Sequence, residues 1–158
     1  MIELSVPGFG ELRLRHLVCD YNGTLALDGR LLDGVVPLLD RISGRLDIHI
    51  ITADTFGTVA RALAGTLCII HVLAGAETDE AMAKANYARS LGAGEGVCIG
   101  NGRNDRLMLA EAGLAIAVIQ REGAATAALR AAHLAVIDVR DGLELLLCPR
   151  RLLATLRG

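Results

Sequence analysis

Short apolar segments alternate with helix-like segments along most of this chain, and this alternation restricts the possible folds more than any other feature. The apolar segments have the length of buried strands, and the segments between them have the length of short helices. Strands and helices that alternate in this way form βαβ units, which produce a mostly parallel sheet covered by helices. We therefore predict an α/β protein with a doubly wound sheet. The predicted strands are 16–19, 47–52, 68–73, 96–99, 114–119 and 134–137, and the predicted helices are 34–44, 56–64, 80–91, 105–112, 124–131, 141–147 and 150–157.

Two hairpins are predicted before the first of these helices. Residues 2–6 and 11–15 flank a glycine-rich turn, which predicts an N-terminal β-hairpin, and a turn signal at 28–30 predicts a second, shorter one. The length of 158 residues is typical of one domain. No repeat, linker or low-complexity segment divides the sequence, so we predict a single domain over residues 1–158.

Composition excludes several classes of function. The net charge is −2, and the chain has no Trp, two Phe and two Tyr, so neither a basic surface nor a base-stacking platform for nucleic acid is expected. The apolar segments are far shorter than a membrane span, and the N-terminus lacks the features of a signal peptide. We expect a cytoplasmic protein with no nucleic-acid or membrane partner.

Cysteine and histidine are not spaced like metal ligands or disulfide frameworks. No CxxC pair is present, and most of the cysteines lie in apolar segments, where cysteine acts as a small hydrophobe. We predict reduced thiols and structural roles for the histidines. These residues are Cys19, Cys68, Cys98, Cys148, His16, His49, His71 and His133.

Polar residues follow several of the predicted strands. Asp20, Asn22 and Thr24 follow the first strand, the second ends in 52–55, and 100–105 follows the fourth. Ligands of such sheets bind at the carboxyl ends of the strands. A lone Asp after a strand would more simply cap a loop, but polar residues at several strand ends favour a common site.

These residue types suit phosphoryl transfer. A carboxylate such as Asp20 can attack phosphorus and form an acyl phosphate. The Thr52 hydroxyl and the Lys84 cation can hold phosphoryl oxygens, and Asp105 can help to bind Mg²⁺. Lys84 is the only lysine beside 15 arginines, which favours a position that needs a compact ammonium group, although chance retention on a helix surface would also explain it. Glycines at 23, 100 and 102 allow the backbone to approach a ligand.

The order of these residues resembles the four motifs of the haloacid dehalogenase-like (HAD) hydrolases, and most closely the soluble phosphatases similar to P-type ATPases. The P-type ATPases themselves, which are pumps, carry the motifs DKTGT, TGD, a lysine and GDGxND. The similarity covers about residues 16–148. The corresponding stretches here are Asp20-Tyr21-Asn22-Gly23-Thr24-Leu25, Thr52-Ala53-Asp54, Lys84 and Gly100-Asn101-Gly102-Arg103-Asn104-Asp105.

The resemblance implies a Mg²⁺-dependent phosphatase that forms an aspartyl phosphate. Asp20 would be the nucleophile, and Asn22 would lie near the leaving group. The implied catalytic residues are Asp20, Asn22, Thr52 and Lys84. The implied phosphate-binding residues are Asp20, Asn22, Gly23, Thr52, Ala53, Lys84 and Asn104, and the implied metal-binding residues are Asp20, Asn22, Asn101 and Asp105.

Two positions depart from the usual motifs. Asn22 stands where most of these phosphatases have the Asp that protonates the leaving group, and an amide cannot shuttle protons. Asn101 stands where the family usually has a metal-binding Asp. We therefore expect slow turnover, a persistent phospho-enzyme and a high Mg²⁺ requirement.

The spacing of the motifs leaves no room for an inserted cap domain, since predicted helices and strands fill the segments between them. An open site suits a macromolecular substrate or closure by a second subunit. The high apolar content, including 124–132, favours a homo-oligomer.

Two other functions are compatible with these residues. Asn22 and Asn101 could mark a regulatory module that binds phosphate and Mg²⁺ without turnover. A receiver-like phospho-acceptor domain would use Asp, Thr and Lys in a similar way, but its phosphorylated Asp normally ends the third strand, whereas Asp20 ends an early one.

Overall fold

The computed structural model describes residues 1–53, 58–73, 79–92 and 94–158. The strands, in chain order, are β1 (Ile2–Val6), β2 (Gly10–Leu14), β3 (His16–Asp20), β4 (Ala26–Leu27), β5 (Arg30–Leu31), β6 (Asp47–Thr52), β7 (Ile69–Val72), β8 (Gly96–Gly100), β9 (Leu114–Val118) and β10 (Leu134–Val136). The helices are α1 (Val35–Ser43), α2 (Val59–Ala62), α3 (Glu80–Ser90), α4 (Arg106–Glu111), α5 (Thr126–Ala131), α6 (Val139–Leu147) and α7 (Pro149–Leu156).

Six of the strands form a parallel sheet in the order β10-β9-β8-β3-β6-β7. The predicted α/β class and both predicted hairpins, β1-β2 and β4-β5, are thereby confirmed. β3 lies inside the sheet, between β8 and β6, so Asp20 emerges among the carboxyl ends of the neighbouring strands. This edge of a doubly wound sheet is where ligands bind.

Helices cover both faces of the sheet, and for this reason the strands are apolar throughout. One face packs against α1, α2, α6 and α7 and includes the side chains of Leu17 and Cys19. The other face packs against α3, α4 and α5 and includes Val18. Successive side chains of β3 alternate between these two cores, as the pleat of a strand requires.

Helix α3 presents a lysine to the protein interior. Asp79 caps the helix, accepting hydrogen bonds from the backbone N–H groups of Ala81 (3.1 Å) and Met82 (3.2 Å). Ala81, Lys84 and Ala85 are buried, and they lie on one face because positions three and four apart meet on a helix surface. The small alanines leave room for the long Lys84 side chain to enter the core.

Some helix boundaries differ from the predicted ones. α6 begins at Val139, two residues before the predicted start, because the side chain of Asp138 accepts a hydrogen bond from the Arg140 N–H and caps the helix. The predicted helix 105–112 follows a 3₁₀ turn, Arg103–Asp105. Residues 56 and 57 of the predicted helix 56–64 lie outside the described residues.

All four cysteines are free thiols, in agreement with the prediction.

Three histidines, which are scattered in the sequence, lie close together beside Tyr87. His49 Nδ1 lies 2.9 Å from the Tyr87 hydroxyl, His49 Nε2 lies 3.3 Å from His16 Nδ1, and the His71 ring stacks on Tyr87. His16 is the first residue of β3, and Asp20 is the last.

Within the described ranges, no helix is long and apolar enough to cross a membrane.

Candidate active site

A buried lysine between two carboxylates forms the centre of the site. Lys84 Nζ donates hydrogen bonds to Asp20 Oδ1 (2.6 Å) and to Asp105 Oδ1 (2.7 Å). The exposed fractions of these side chains are 2% for Lys84, 9% for Asp20 and 0% for Asp105. Charged groups are seldom buried to this extent unless they are paired, and pairing here requires three separate elements, β3, α3 and the turn before α4.

The three charges shift one another's ionisation. Burial and the negative charge of Asp105 raise the pKa of Asp20 to about 7, although the Lys84 ammonium and the Thr24 hydroxyl oppose this rise. Burial alone would lower the pKa of Lys84, but the attraction of Asp20 and Asp105 outweighs it and raises the pKa. Lys84 therefore stays protonated, while Asp20 ionises near neutral pH.

Asp105 organises the loop that follows β8. Its Oδ2 accepts hydrogen bonds from the backbone N–H groups of Asn101 (3.0 Å) and Gly102 (2.8 Å). A β-carbon on Gly100 would lie 2.5 Å from Asp105 Cγ, so only glycine allows this carboxylate to fold back over the strand end. Both oxygens of Asp105 thus accept hydrogen bonds from groups that build the site.

Thr24 connects the nucleophile loop to the loop after β8. Its Oγ1 lies 3.1 Å from Asp20 Oδ2 and 3.3 Å from Asn101 Oδ1, and the side chain is fully buried. A hydroxyl carries a single proton, so it donates to one of these acceptors at a time. Thr24 thereby holds the second oxygen of Asp20 and the side chain of Asn101 on the same side of the site.

Other predicted residues lie at the same sheet edge or beside it. Thr52 is buried at the end of β6, one residue beyond Ile51, the residue that pairs with Asp20 in the adjacent strand. Ala53 follows and is exposed, whereas Asp54 lies outside the described residues. The Asn104 amide donates to Glu80 Oε2 at 2.8 Å, so its donor group is engaged by α3 and not by the groups around Asp20.

Polar side-chain atoms crowd the space beside Gly23. Gly23 has a φ of +79°, and a β-carbon there would lie 2.6 Å from Glu122 Oε2, 2.7 Å from Asn101 Nδ2 and 2.8 Å from Asn101 Oδ1. Asn22 Oδ1 is buried and has no hydrogen-bond partner among the described residues. Only glycine fits at this position, because it has no β-carbon to meet these atoms and it tolerates the left-handed conformation.

This donor set fits a hard divalent cation such as Mg²⁺, which binds carboxylate and carbonyl oxygens and keeps several waters. Asp20 Oδ2, Asn101 Oδ1 and the Asn22 carbonyl are the available protein donors. In the described part of the chain, no three His, Cys, Asp or Glu side chains are close enough to form a ready metal site. A cation held here would depend on waters and on the oxygens of a bound phosphate.

Two residues near the site were not predicted. Gln120 Nε2 donates to the carbonyls of Gly23 (3.2 Å) and Thr24 (2.7 Å), and its Oε1 accepts from the Val139 N–H (2.9 Å). Glu122 is the second. Both follow the end of β9, at the sheet edge where Asp20 ends β3, so applying the strand-end rule to this strand would have found them.

The parallel sheet, the strand-end aspartate and the β-hairpin after it form a HAD-like α/β fold, and the described residues contain no inserted cap. No family model matches the sequence. The similarity to known proteins is therefore one of fold, found by superposition on solved structures of low sequence identity.

The similar solved structures include phosphatases. A 3-deoxy-D-manno-octulosonate 8-phosphate phosphatase from Moraxella catarrhalis, solved with magnesium, phosphate and KDO, has a TM-score of 0.67 at 19% identity, over 92% of this chain and 94% of that one. A cobalt-bound deoxy-D-mannose-octulosonate 8-phosphate phosphatase from Haemophilus influenzae has a TM-score of 0.67 at 13% identity, over 88% and 90%. A phospho-aspartyl intermediate analogue of phosphoserine phosphatase has a TM-score of 0.63 at 12% identity, over 84% and 98%.

One sequence relative is more similar over a shorter stretch. An uncharacterized protein of Methanocaldococcus jannaschii is 46% identical over 61 residues, which are 39% of this chain and 66% of that protein. The match thus spans slightly less than two thirds of the relative's length.

Proposed function

We propose that this protein is a Mg²⁺-dependent phosphomonoester phosphatase that works through an aspartyl phosphate on Asp20. The observation that carries the proposal is the buried cluster in which Lys84 lies between Asp20 and Asp105 at the carboxyl end of an interior strand. The phosphatase fold supports it, and so do the four motifs in their order. The resemblance to the soluble P-type ATPase-like phosphatases is part of this proposal.

In the first step, a carboxylate oxygen of Asp20 attacks the phosphorus atom of the ester. The new bond joins Asp20 to phosphorus, and the bond between phosphorus and the ester oxygen breaks, releasing an alkoxide that takes a proton from water. Lys84 neutralises the charge that Asp20 and the phosphoryl oxygens bring into the site. Asn22 can only donate a hydrogen bond to the leaving oxygen, because an amide has no proton to transfer.

The remaining phosphoryl oxygens need donors that lie around Asp20. We assign this role to the Thr52 hydroxyl and to the backbone N–H groups of Gly23 and Ala53. The Gly23 N–H donates to the Ala26 carbonyl at 2.8 Å, so its contribution requires this hydrogen bond to break. Backbone N–H groups and hydroxyls suit phosphate because they donate without requiring a counter-charge. The predicted contribution of Asn104 would require its amide to leave Glu80.

A bound Mg²⁺ would neutralise charge on the transferring phosphoryl group. Asp20, Asn101 and the Asn22 carbonyl would hold it. Asp105 remains a predicted ligand, but its hydrogen bonds favour a role in fixing Lys84 and the backbone of Asn101.

In the second step, water attacks the phosphorus atom, the bond to Asp20 breaks, and phosphate leaves with the carboxylate restored. General acid–base assistance is worth about 10²–10⁴ in rate, and Asn22 cannot provide it. The phospho-enzyme should therefore persist, and turnover should be slow.

The proposal is tested by phosphate release from an aryl phosphate and from a panel of metabolites at high Mg²⁺. The panel should include phosphorylated sugar acids, because similar folds occur in phosphatases of such a compound. We expect slow release by the wild type, none by Asp20→Asn, and at least a tenfold faster rate for Asn22→Asp. A wild-type rate equal to that of Asp20→Asn would refute the proposal.

A second candidate is a regulatory module that binds phosphate and Mg²⁺ without turnover. It is favoured by the two amides, Asn22 and Asn101, at positions that usually carry carboxylates. It predicts that beryllofluoride with Mg²⁺ raises the melting temperature while no phosphate is released. Measurable wild-type hydrolysis, comparable to that of Asn22→Asp, would exclude it.

A further inference from the structure

Glu122 brings a carboxylate next to Gly23. It lies on the turn after β9, and its Oε2 is 2.6 Å from the position that a β-carbon on Gly23 would occupy. The amide of Asn101 lies 2.7 Å from the same position, through Nδ2. The Asn101 side chain and the Glu122 carboxylate therefore both lie beside Gly23, although the residues are distant in sequence.

The turn that carries Glu122 is held on both sides. Gln120 fixes its start through the carbonyls of the Asp20 loop. Asn101 fixes its end, because Asn101 Nδ2 donates to the Gly123 carbonyl (3.1 Å) and the Asn101 carbonyl accepts from the Ala125 N–H (2.8 Å). The position of Glu122 thus depends on the amide at 101.

An aspartate at position 101 could not make the same contact. Both of its oxygens are acceptors, so one of them would face the Gly123 carbonyl without a proton between them. Asparagine resolves this conflict, but it removes a negative charge from the place where the motif usually has one. Glu122 restores a negative charge close to the Asn101 side chain.

We propose that Glu122 supplies the second carboxylate of the divalent-cation site, after Asp20, in place of the carboxylate that position 101 lacks. The inference rests on the proposed Mg²⁺-dependent function. Glu122 would help to hold the cation and would supply it with a negative charge. Its exposed position suits this role, because the side chain can adjust when the cation enters with its hydration shell.

The test measures cation binding without substrate. Mn²⁺ serves as the probe, and free Mn²⁺ is followed by electron paramagnetic resonance during titration of the full chain. Glu122→Gln should weaken Mn²⁺ binding about 10-fold or more, the range found when groups around a metal are removed. Glu122→Asp should keep part of the affinity, because it keeps the charge.

Glu3→Gln is the matched control, since Glu3 is an exposed glutamate on the N-terminal hairpin and its loss changes the net charge equally. It should bind Mn²⁺ like the wild type. Urea unfolding in the absence of metal verifies that Glu122→Gln folds normally. The inference is overturned if Glu122→Gln binds within twofold of the wild type, or if the wild type binds no Mn²⁺.

These results are separable from the fate of the proposed function. Binding of Mn²⁺ that depends on Glu122, without phosphate release, would sustain the inference and refute the phosphatase. Phosphate release that depends on Asp20, with equal Mn²⁺ binding by the wild type and Glu122→Gln, would sustain the phosphatase and refute the inference.

Discussion

Lys84 compensates two buried carboxylates at once, so its loss should affect stability as well as chemistry. Lys84→Met would leave Asp20 and Asp105 without a counter-charge in the interior, and breaking a buried ion pair in this way costs about 3–5 kcal/mol. We expect the free energy of unfolding, measured in urea at pH 8, to fall by about this amount. Arg13→Met, which removes an exposed cation from β2, should change it by less than about 0.5 kcal/mol. Equal effects of the two substitutions would contradict the pairing.

Asp20 should make both stability and reaction depend on pH. Its pKa is raised to about 7, mainly by burial, so the folded protein binds a proton that the unfolded chain releases near pH 4. The folded state therefore loses stability as the pH rises from about 4 to about 7, by at most about 1.4 kcal/mol per pH unit. The difference in unfolding free energy between wild type and Asp20→Asn, measured in urea across this range, should fall with rising pH. A difference that rises with pH would show that the pKa is lowered.

The rate of phosphoryl transfer should change in the opposite direction over the same range. Only the ionised form of Asp20 is a nucleophile, so the single-turnover rate of phospho-enzyme formation should increase as the pH rises through about 7 in the absence of competing groups. Bound Mg²⁺ stabilises the ionised form and should move this rise to lower pH. A rate independent of both pH and Mg²⁺ would argue against Asp20 as the attacking group.

At the scale of elements, the turn after β9 ties three parts of the site together. Gln120 contacts the Asp20 loop through two carbonyls and the start of α6 through the Val139 N–H. Gln120→Ala removes three hydrogen bonds and should lower the free energy of unfolding by about 1–3 kcal/mol. Gln120→Glu should be at least as destabilising, because it places an acceptor against the carbonyls of Gly23 and Thr24. Urea unfolding of both variants tests this. If both variants are as stable as the wild type, the hydrogen bonds of Gln120 do not stabilise the fold.

At the scale of the molecule, the described residues include no cap domain over the site. The alanine-rich segment 124–132, which led us to expect self-association, packs against the protein's own sheet through Ala125, Ala128 and Ala131. We therefore propose that the edge strand β7, and not this segment, forms the contact between subunits of a homo-oligomer. Ile69 and Val72 on this strand are 51% and 50% exposed, and Leu67 beside it is 77% exposed.

An apolar edge strand of this kind pairs readily with a second copy. We predict a molecular mass above that of a monomer in size-exclusion chromatography with light scattering, and a shift toward the monomer for Ile69→Lys. Glu3→Lys, at an exposed position on β1, provides the control. A monomeric wild type at high concentration would contradict this prediction.

The sequence by itself determined the α/β class and the residues at most strand ends, because the hydrophobic period and the turn signals are local properties of the chain. It also singled out Lys84 through its rarity. The tertiary structure decided which of these residues meet. Lys84 is 64 positions from Asp20 and 21 from Asp105, and only the packing of α3 against the sheet brings the three charges together. The tertiary structure also decided what Gln120 and Glu122 contact, because the position of β9 beside β8 brings the turn after β9 next to Asn101 and the Asp20 loop.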